Sequence, residues 1–389
     1  YRLDTRPHSH IIQMEAVTHA SSAVTSSSPI ALSQFANNAH LVGPAWVISS
    51  AILTTYSTTS FLKHGELNGR EGGGGRIQTT RASNLLDESR RRGRIVSDVA
   101  SIPRTTLLTL YRFSGSLLLG LTVQYKPWRV ASRIKETWLA AQHFVIPALF
   151  LYVANYCNSV SLDRIGISLT YTSKCGIPLI TVLLTLILDG PKAMPSAQTL
   201  LTLMPIAIGI AMASWNSPTF ESVGFAAAII SSTAQAALNV SSKRVMSKSN
   251  IAGADAQRAM VAVAFFITTT VLALNNFILK LKSTRVNNSI ETKKNESAKV
   301  SSITREHPPY GISIMAVIAY HIEYVFSFMF VKLVEPITYG TCDAIRRLLI
   351  IISGQSMFGG EPFSALNLSG ICLALLGALL YSIFSSYDV

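Results

Sequence analysis

Apolar and polar stretches alternate along this chain in blocks. The apolar blocks run to about twenty residues, the length a helix needs to cross the hydrocarbon core of a bilayer. Ten such segments are expected, at 41–62, 104–125, 138–161, 165–189, 197–215, 220–242, 257–280, 311–334, 338–359 and 365–386. Links such as Asp163-Arg164 and Glu335-Pro336 are so short that they predict tight hairpins of segment three with four and of eight with nine. The four tryptophans, Trp46, Trp128, Trp138 and Trp215, fall at segment edges, where indole rings anchor helices at the membrane surface. The pattern predicts an all-α polytopic membrane protein.

Between the segments the chain is polar. Residues 1–40 are rich in Ser, Thr and Ala, poor in acids, and do not begin with methionine. A transit peptide would share that composition; a disordered tail is the simpler expectation. Two inserts, 63–103 and 281–310, interrupt the apolar pattern. The first holds Gly72-Gly73-Gly74-Gly75 and Arg90-Arg91-Arg92. With no Lys-Ser/Thr after the glycines it reads as a flexible linker and not as a phosphate loop. The second is Lys-, Ser- and Asn-rich and is expected to be disordered.

Charge refines this picture. The net charge of +13 would point to nucleic acid in a soluble protein. Here most basic residues lie in loops, where they bear on topology and on anionic lipid or substrate, so nucleic acid is not an expected partner. A plain Lys/Arg count puts both inserts inside. The sequons at Asn287 and Asn295 argue for a lumenal second insert and cytosolic termini. The cysteines Cys157, Cys175, Cys342 and Cys372 are scattered through apolar runs and read as small buried hydrophobes. No metal spacing, nucleophile–base pair or carboxylate pair stands out, so neither an enzyme, a metal nor a cofactor is expected.

Candidate chemistry centres on a few charges inside the segments. Arg346 and Arg347 precede a run with no other charge. A cation at membrane depth costs several kcal/mol unless a counter-charge, water or an anionic ligand offsets it. Snorkelling from a helix end is the bland alternative. Lys174 lies in a similar place in an earlier stretch. Ile167 and Ile337, Ser168 and Thr338, and Gly190 and Gly360 share one spacing; Gly209 and Gly377, and Ser214 and Ser382, share another two residues shorter. Such internal similarity points to two halves, 41–215 and 216–389, with a site between them. One lysine and two arginines around a common cavity would suit a dianion. Asp343 is placed to neutralise one arginine in part. Glu323 either holds an arginine in the empty site or couples protons, and the ion pair is the preferred reading. Asn155, Asn158, Tyr171, Thr172, Tyr339 and Thr341 are candidate cavity groups for hydroxyls or a base, though interhelical glue is their bland role. His321 reads as a packing residue.

Three stretches carry a family likeness. SVSLDRIGISLTYTSKCGIP (Ser159 to Pro178), ALNVSSKRVM (Ala237 to Met246) and YHIEYVFSFMFVKLVEPITYGTCDAIRRLLIIISGQSMFGG (Tyr320 to Gly360) resemble, in order, three stretches of the triose-phosphate/nucleotide-sugar translocators of the drug/metabolite transporter superfamily. The resemblance implies ten transmembrane helices in two inverted five-helix repeats and exchange of phosphorylated metabolites by alternating access. It gives phosphate binding to Lys174, Arg346 and Arg347. The chain departs from the family at Asp343, where an asparagine is expected. It also departs from the plastid members at Asn155, Asn158, Leu238 and Glu323. Those departures favour a nucleotide sugar exchanged for a nucleoside monophosphate in the Golgi or endoplasmic reticulum membrane. A sugar-phosphate or triose-phosphate translocator working against inorganic phosphate, in a plastid envelope, is the alternative, and a non-transporting scaffold is the rival class. A homodimer is compatible with either.

Overall fold

The computed structural model describes residues 39–64, 103–122, 130–190, 195–215, 220–249, 251–290, 308–334, 336–358 and 364–384. The tail at 1–38, the Gly72–Gly75 and Arg90–Arg92 runs, Trp128, the Asn295 sequon, Glu335 and Gly360 lie outside them. Every ordered element among the described residues is helical. Helix α1 runs through Ala39–Ile48, a π turn at Ser49–Thr54 and Thr55–Leu62. Then come α2 (Arg104–Thr122), α3 (Val130–Ala141), α4 (Val145–Lys174) and α5 (Ile177–Asp189). The short α6 (Ala197–Leu201) leads into α7 (Leu203–Ser214), followed by α8 (Ser222–Ser249) and α9 (Gly253–Ile290). Helices α10 (Tyr310–Leu333), α11 (Pro336–Phe358) and α12 (Ala365–Phe384) complete the bundle.

Helix covers each of the ten apolar segments. Among the described residues, five stretches are long and apolar enough to cross a membrane: Val130–Lys174, Ala197–Ser214, Ser222–Ser249, Gly253–Ile278 and Tyr310–Val331. Many large apolar side chains are left exposed, among them Leu118, Ile187, Leu201 and Phe277, as suits a face turned to lipid. Interior Ser and Thr hydroxyls largely return to their own helix. Thr109 donates to the Thr105 carbonyl and Ser173 to that of Leu169, each at 2.8 Å, so they are satisfied without water.

Both expected hairpins form. Ser161 and Thr170 hydroxyls meet at 2.7 Å, although nine residues of straight helix would set them about 13 Å apart. The chain reverses at Gly166, whose φ of 76° and ψ of −177° are open only to glycine. Ser327 and Tyr339 meet across the second turn at 3.5 Å.

Several boundaries depart from expectation. Segment four is not one helix, because the chain breaks after Lys174 and resumes at Ile177. Pro178 explains the break: it has no N–H to donate to the Lys174 carbonyl one turn earlier. Lys243 and Arg244 lie inside α8 and not beyond it, since the helix continues to Ser249. Helix α9 runs ten residues into the second insert, to Ile290, because extending an existing helix is far easier than nucleating one.

Close packing comes from small residues. A Cβ on Gly209 would lie 2.4 Å from the Ala374 backbone nitrogen, and one on Gly377 would lie 2.8 Å from that of Ile206. Helices α7 and α12 therefore touch backbone to backbone, the approach that small residues permit between membrane helices. Ala256, Ala259 and Ala264 let α9 settle against α2, α4 and α10 around Phe113, Phe144 and Tyr320.

Candidate functional site

The break after Lys174, the π turn of α1 and the start of α11 face one another across a cavity lined by Thr54, Lys174 and Asp343. It merges with a wider vestibule, and Asn239, Tyr339 and Arg347 line both. Lys243, Arg244 and Lys248 stand along the vestibule wall. The opening is at the end of the bundle where α8, α10 and α12 finish.

The three predicted cations come together there. Arg347 is 4% exposed. Its Nη1 donates to the Lys174 carbonyl that Pro178 leaves without a helical donor, and its Nη2 pairs with Asp343. Arg346 donates to Asp343 Oδ1 from Nε at 3.0 Å and from Nη2 at 2.7 Å. Its Nη1 reaches Glu323 Oε1 at 2.9 Å and Ser50 Oγ at 2.8 Å, and Ser50 in turn donates to Glu323 at 2.8 Å. The π turn positions Ser50 for this, with Thr55 bonding the Ser50 carbonyl at 3.0 Å; such turns recur at functional sites. Lys174 Nζ stands 5.3 Å over the Tyr171 ring, and among the described residues no carboxylate pairs with it.

Asp343 therefore engages both arginines and not one, because residues three and four places on along a helix share its face. Glu323 sits in an ion pair. Asn155, Asn158, Tyr171 and Tyr339 line the cavity as expected. Asn155 Nδ2 donates to the Tyr324 hydroxyl at 3.1 Å, and Tyr339 stacks on Trp46 with ring centres 5.0 Å apart. Thr172 is not in the cavity wall: it is buried in α4 and donates to the Ser168 carbonyl at 2.9 Å, the interhelical-glue alternative reduced to its own helix. Thr341 is on α11, and its side chain lies outside the described residues. His321 is a packing residue, 2.9 Å from Ser116 Oγ. Of the cysteines, Cys175 is buried, Cys157 and Cys342 are partly so, and Cys372 is exposed, so small buried hydrophobe describes only the first.

Two cavity residues escaped the sequence reading. Trp46 was expected as a surface anchor, yet it is 1% exposed, and the Arg346 guanidinium lies 4.9 Å over its ring. The indole face holds a cation, whereas Trp138 and Trp215 are exposed as anchors should be. Arg112, midway along α2, is 3% exposed and lines the same cavity. A charge inside an apolar segment was its signal, the one that picked out Lys174.

Buried polar atoms without partners concentrate here. Arg347 Nε, Arg112 Nε, Asn158 Oδ1 and the Tyr320 hydroxyl have none among the described residues, and all four residues line the cavity. Such atoms call for an explanation, and an anionic ligand in the cavity would offer acceptors to the guanidinium groups.

A helical membrane protein with a buried, strongly basic cavity is the class that fold and site define. Residues 94–382 match the Triose-phosphate Transporter family, and the chain belongs to that family. Phosphoenolpyruvate/phosphate translocator 2, chloroplastic, of Arabidopsis thaliana is 30% identical over 230 residues, which are 59% of this chain and 57% of that protein. The triose phosphate/phosphate translocator, non-green plastid, of Brassica oleracea var. botrytis is 27% identical over 281 residues, 71% of this chain and 64% of that one. Glucose-6-phosphate/phosphate translocator 1 of Arabidopsis thaliana is 25% identical over 231 residues, 59% and 55% respectively. The chain thus spans 55% to 64% of the length of these relatives. They are translocators and not enzymes, and all three are named for phosphate exchange in plastids. The lean towards a nucleotide sugar and a Golgi membrane finds no support among them. That lean rested on the departures at Asn155, Asn158, Leu238 and Glu323, and Asn155, Asn158 and Glu323 line the cavity beside the same cations.

Proposed function

We propose that this protein is an antiporter exchanging a small phosphorylated metabolite for inorganic phosphate, in a membrane of the plastid-envelope type. The convergence of Lys174, Arg346 and Arg347 on one buried cavity carries this reading. A phosphate dianion accepts from several donors at once. Arginine forks suit two of its oxygens, and lysine supplies a point charge. In the empty carrier Asp343 and Glu323 neutralise the arginines; substrate replaces the carboxylates as their partner. Asn155, Asn158, Tyr171 and Tyr339 contact the rest of the substrate.

The reading includes ten membrane spans in two inverted halves, 41–215 and 216–389, that rock about the site. The glycine contacts support it. Gly209 against Ala374 and Gly377 against Ile206 are one contact seen twice, because the spacing that relates Gly209 to Gly377 also relates Ile206 to Ala374. A reciprocal contact is what a two-fold axis between α7 and α12 produces.

The test is counter-exchange in proteoliposomes loaded with labelled phosphate. External phosphate, triose phosphate, phosphoenolpyruvate and glucose 6-phosphate are offered against nucleotide sugars. Exchange with phosphate and at least one phosphorylated metabolite is the expected result. Exchange confined to nucleotide sugars and nucleotides refutes the proposal.

A further inference from the structure

We propose that Arg112 is a specificity-determining residue that receives a second anionic group, a carboxylate, on the phosphorylated substrate. This deepens the phosphate-exchange reading and rests on it. Arg112 is as buried as Arg347, and one of its Nη atoms donates to the Thr58 hydroxyl. Its guanidinium carbon lies 5.4 Å over the Tyr320 ring. Its Nε and the Tyr320 hydroxyl are both buried and unpartnered among the described residues. Both residues line the cavity wall.

The cavity's carboxylates are already committed. Asp343 engages Arg346 and Arg347, and Glu323 engages Arg346. Among the described residues neither pairs with Arg112. A buried guanidinium without a counter-charge is costly, and a ring face and one hydroxyl offset only part of that. An anionic oxygen on the substrate would offset the rest and satisfy Nε and the Tyr320 hydroxyl together.

Tyr320, beneath Arg112, and Glu323, which holds Arg346, are three residues apart on α10, about 4.5 Å along its axis. The second anion therefore binds close to the phosphate group, within reach of a short phosphorylated acid. A phosphorylated polyol without a carboxylate leaves Arg112 unanswered.

The experiment measures apparent affinities for phosphoenolpyruvate and glycerol 3-phosphate in phosphate-loaded proteoliposomes, for wild type, Arg112→Gln, Arg112→Lys and Tyr320→Phe. Wild type should prefer the acid. Arg112→Gln should cut the ratio of the two affinities about tenfold to a hundredfold, with Arg112→Lys between it and wild type. Tyr320→Phe keeps the ring under the guanidinium and should cut the ratio about two- to tenfold. It decides the matter if Arg112→Gln does not fold. Equal loss for both substrates, an unmoved ratio, or a wild type indifferent to the carboxylate overturns the inference while phosphate exchange stands. A wild type that exchanges no phosphorylated compound removes the proposed function and this inference with it.

Discussion

Arg347→Lys isolates what the guanidinium does beyond carrying charge. Arg347 holds two partners at once, the Asp343 carboxylate and the Lys174 carbonyl left by Pro178. An ammonium on a four-carbon stem keeps the charge but cannot present a planar fork. It must choose between the carboxylate, the carbonyl and a phosphate oxygen. At least one charge-assisted bond to substrate is lost, and such a bond contributes about 1.5–3 kcal/mol net. Apparent affinity for phosphate should fall about tenfold to a hundredfold. Folding should suffer less, because Asp343 keeps its two bonds from Arg346 and is not stranded. The assay is phosphate counter-exchange normalised to inserted protein, with thermal unfolding in detergent alongside. Wild-type affinity and rate in Arg347→Lys, together with wild-type exchange in Lys174→Ala, would mean that phosphate binds elsewhere.

Three more outcomes follow from the same contacts. Glu323→Gln keeps an acceptor for Arg346 and Ser50, so exchange at neutral pH should persist in part; wild-type uptake driven by a pH gradient that vanishes in this variant would replace the ion-pair reading with proton coupling. Asp343→Ala strands Arg347 without a carboxylate and should cost about 3–5 kcal/mol, read as a large drop in unfolding temperature, and unchanged stability would contradict the pairing. Gly209→Ala forces a methyl group into the Ala374 backbone and should destabilise by at least about 1–3 kcal/mol, whereas Gly311→Ala, with nothing within 4 Å, should be tolerated; equal yields and melting points for both would refute the α7–α12 contact.

Element positions were legible because crossing a bilayer imposes a length and a composition that survive in any single sequence. The cationic triad was legible for a related reason: charge in an apolar run has few bland explanations. Helix continuity was not. Hydropathy dips at Lys174 but does not say that the helix stops there, and Pro178, read for the donor it lacks, marks the break that exposes the Lys174 carbonyl. Trp46 was misplaced because hydropathy locates a ring along its own helix but not the Arg346 side chain opposite. Arg112 was overlooked although the rule applied to Lys174 covers it. No repeat partner drew attention to it.

On the proposed reading, the carboxylates on Arg346 and Arg347 are tethered competitors for the substrate's place. A group held beside its partner by a folded scaffold acts at an effective concentration in the millimolar range or above, and it never diffuses away. Substrate affinity is therefore a difference between two sets of bonds, and it is weaker than a tally of donors suggests. For a carrier that serves its purpose, because a ligand held too tightly on one side of a membrane is not delivered on the other.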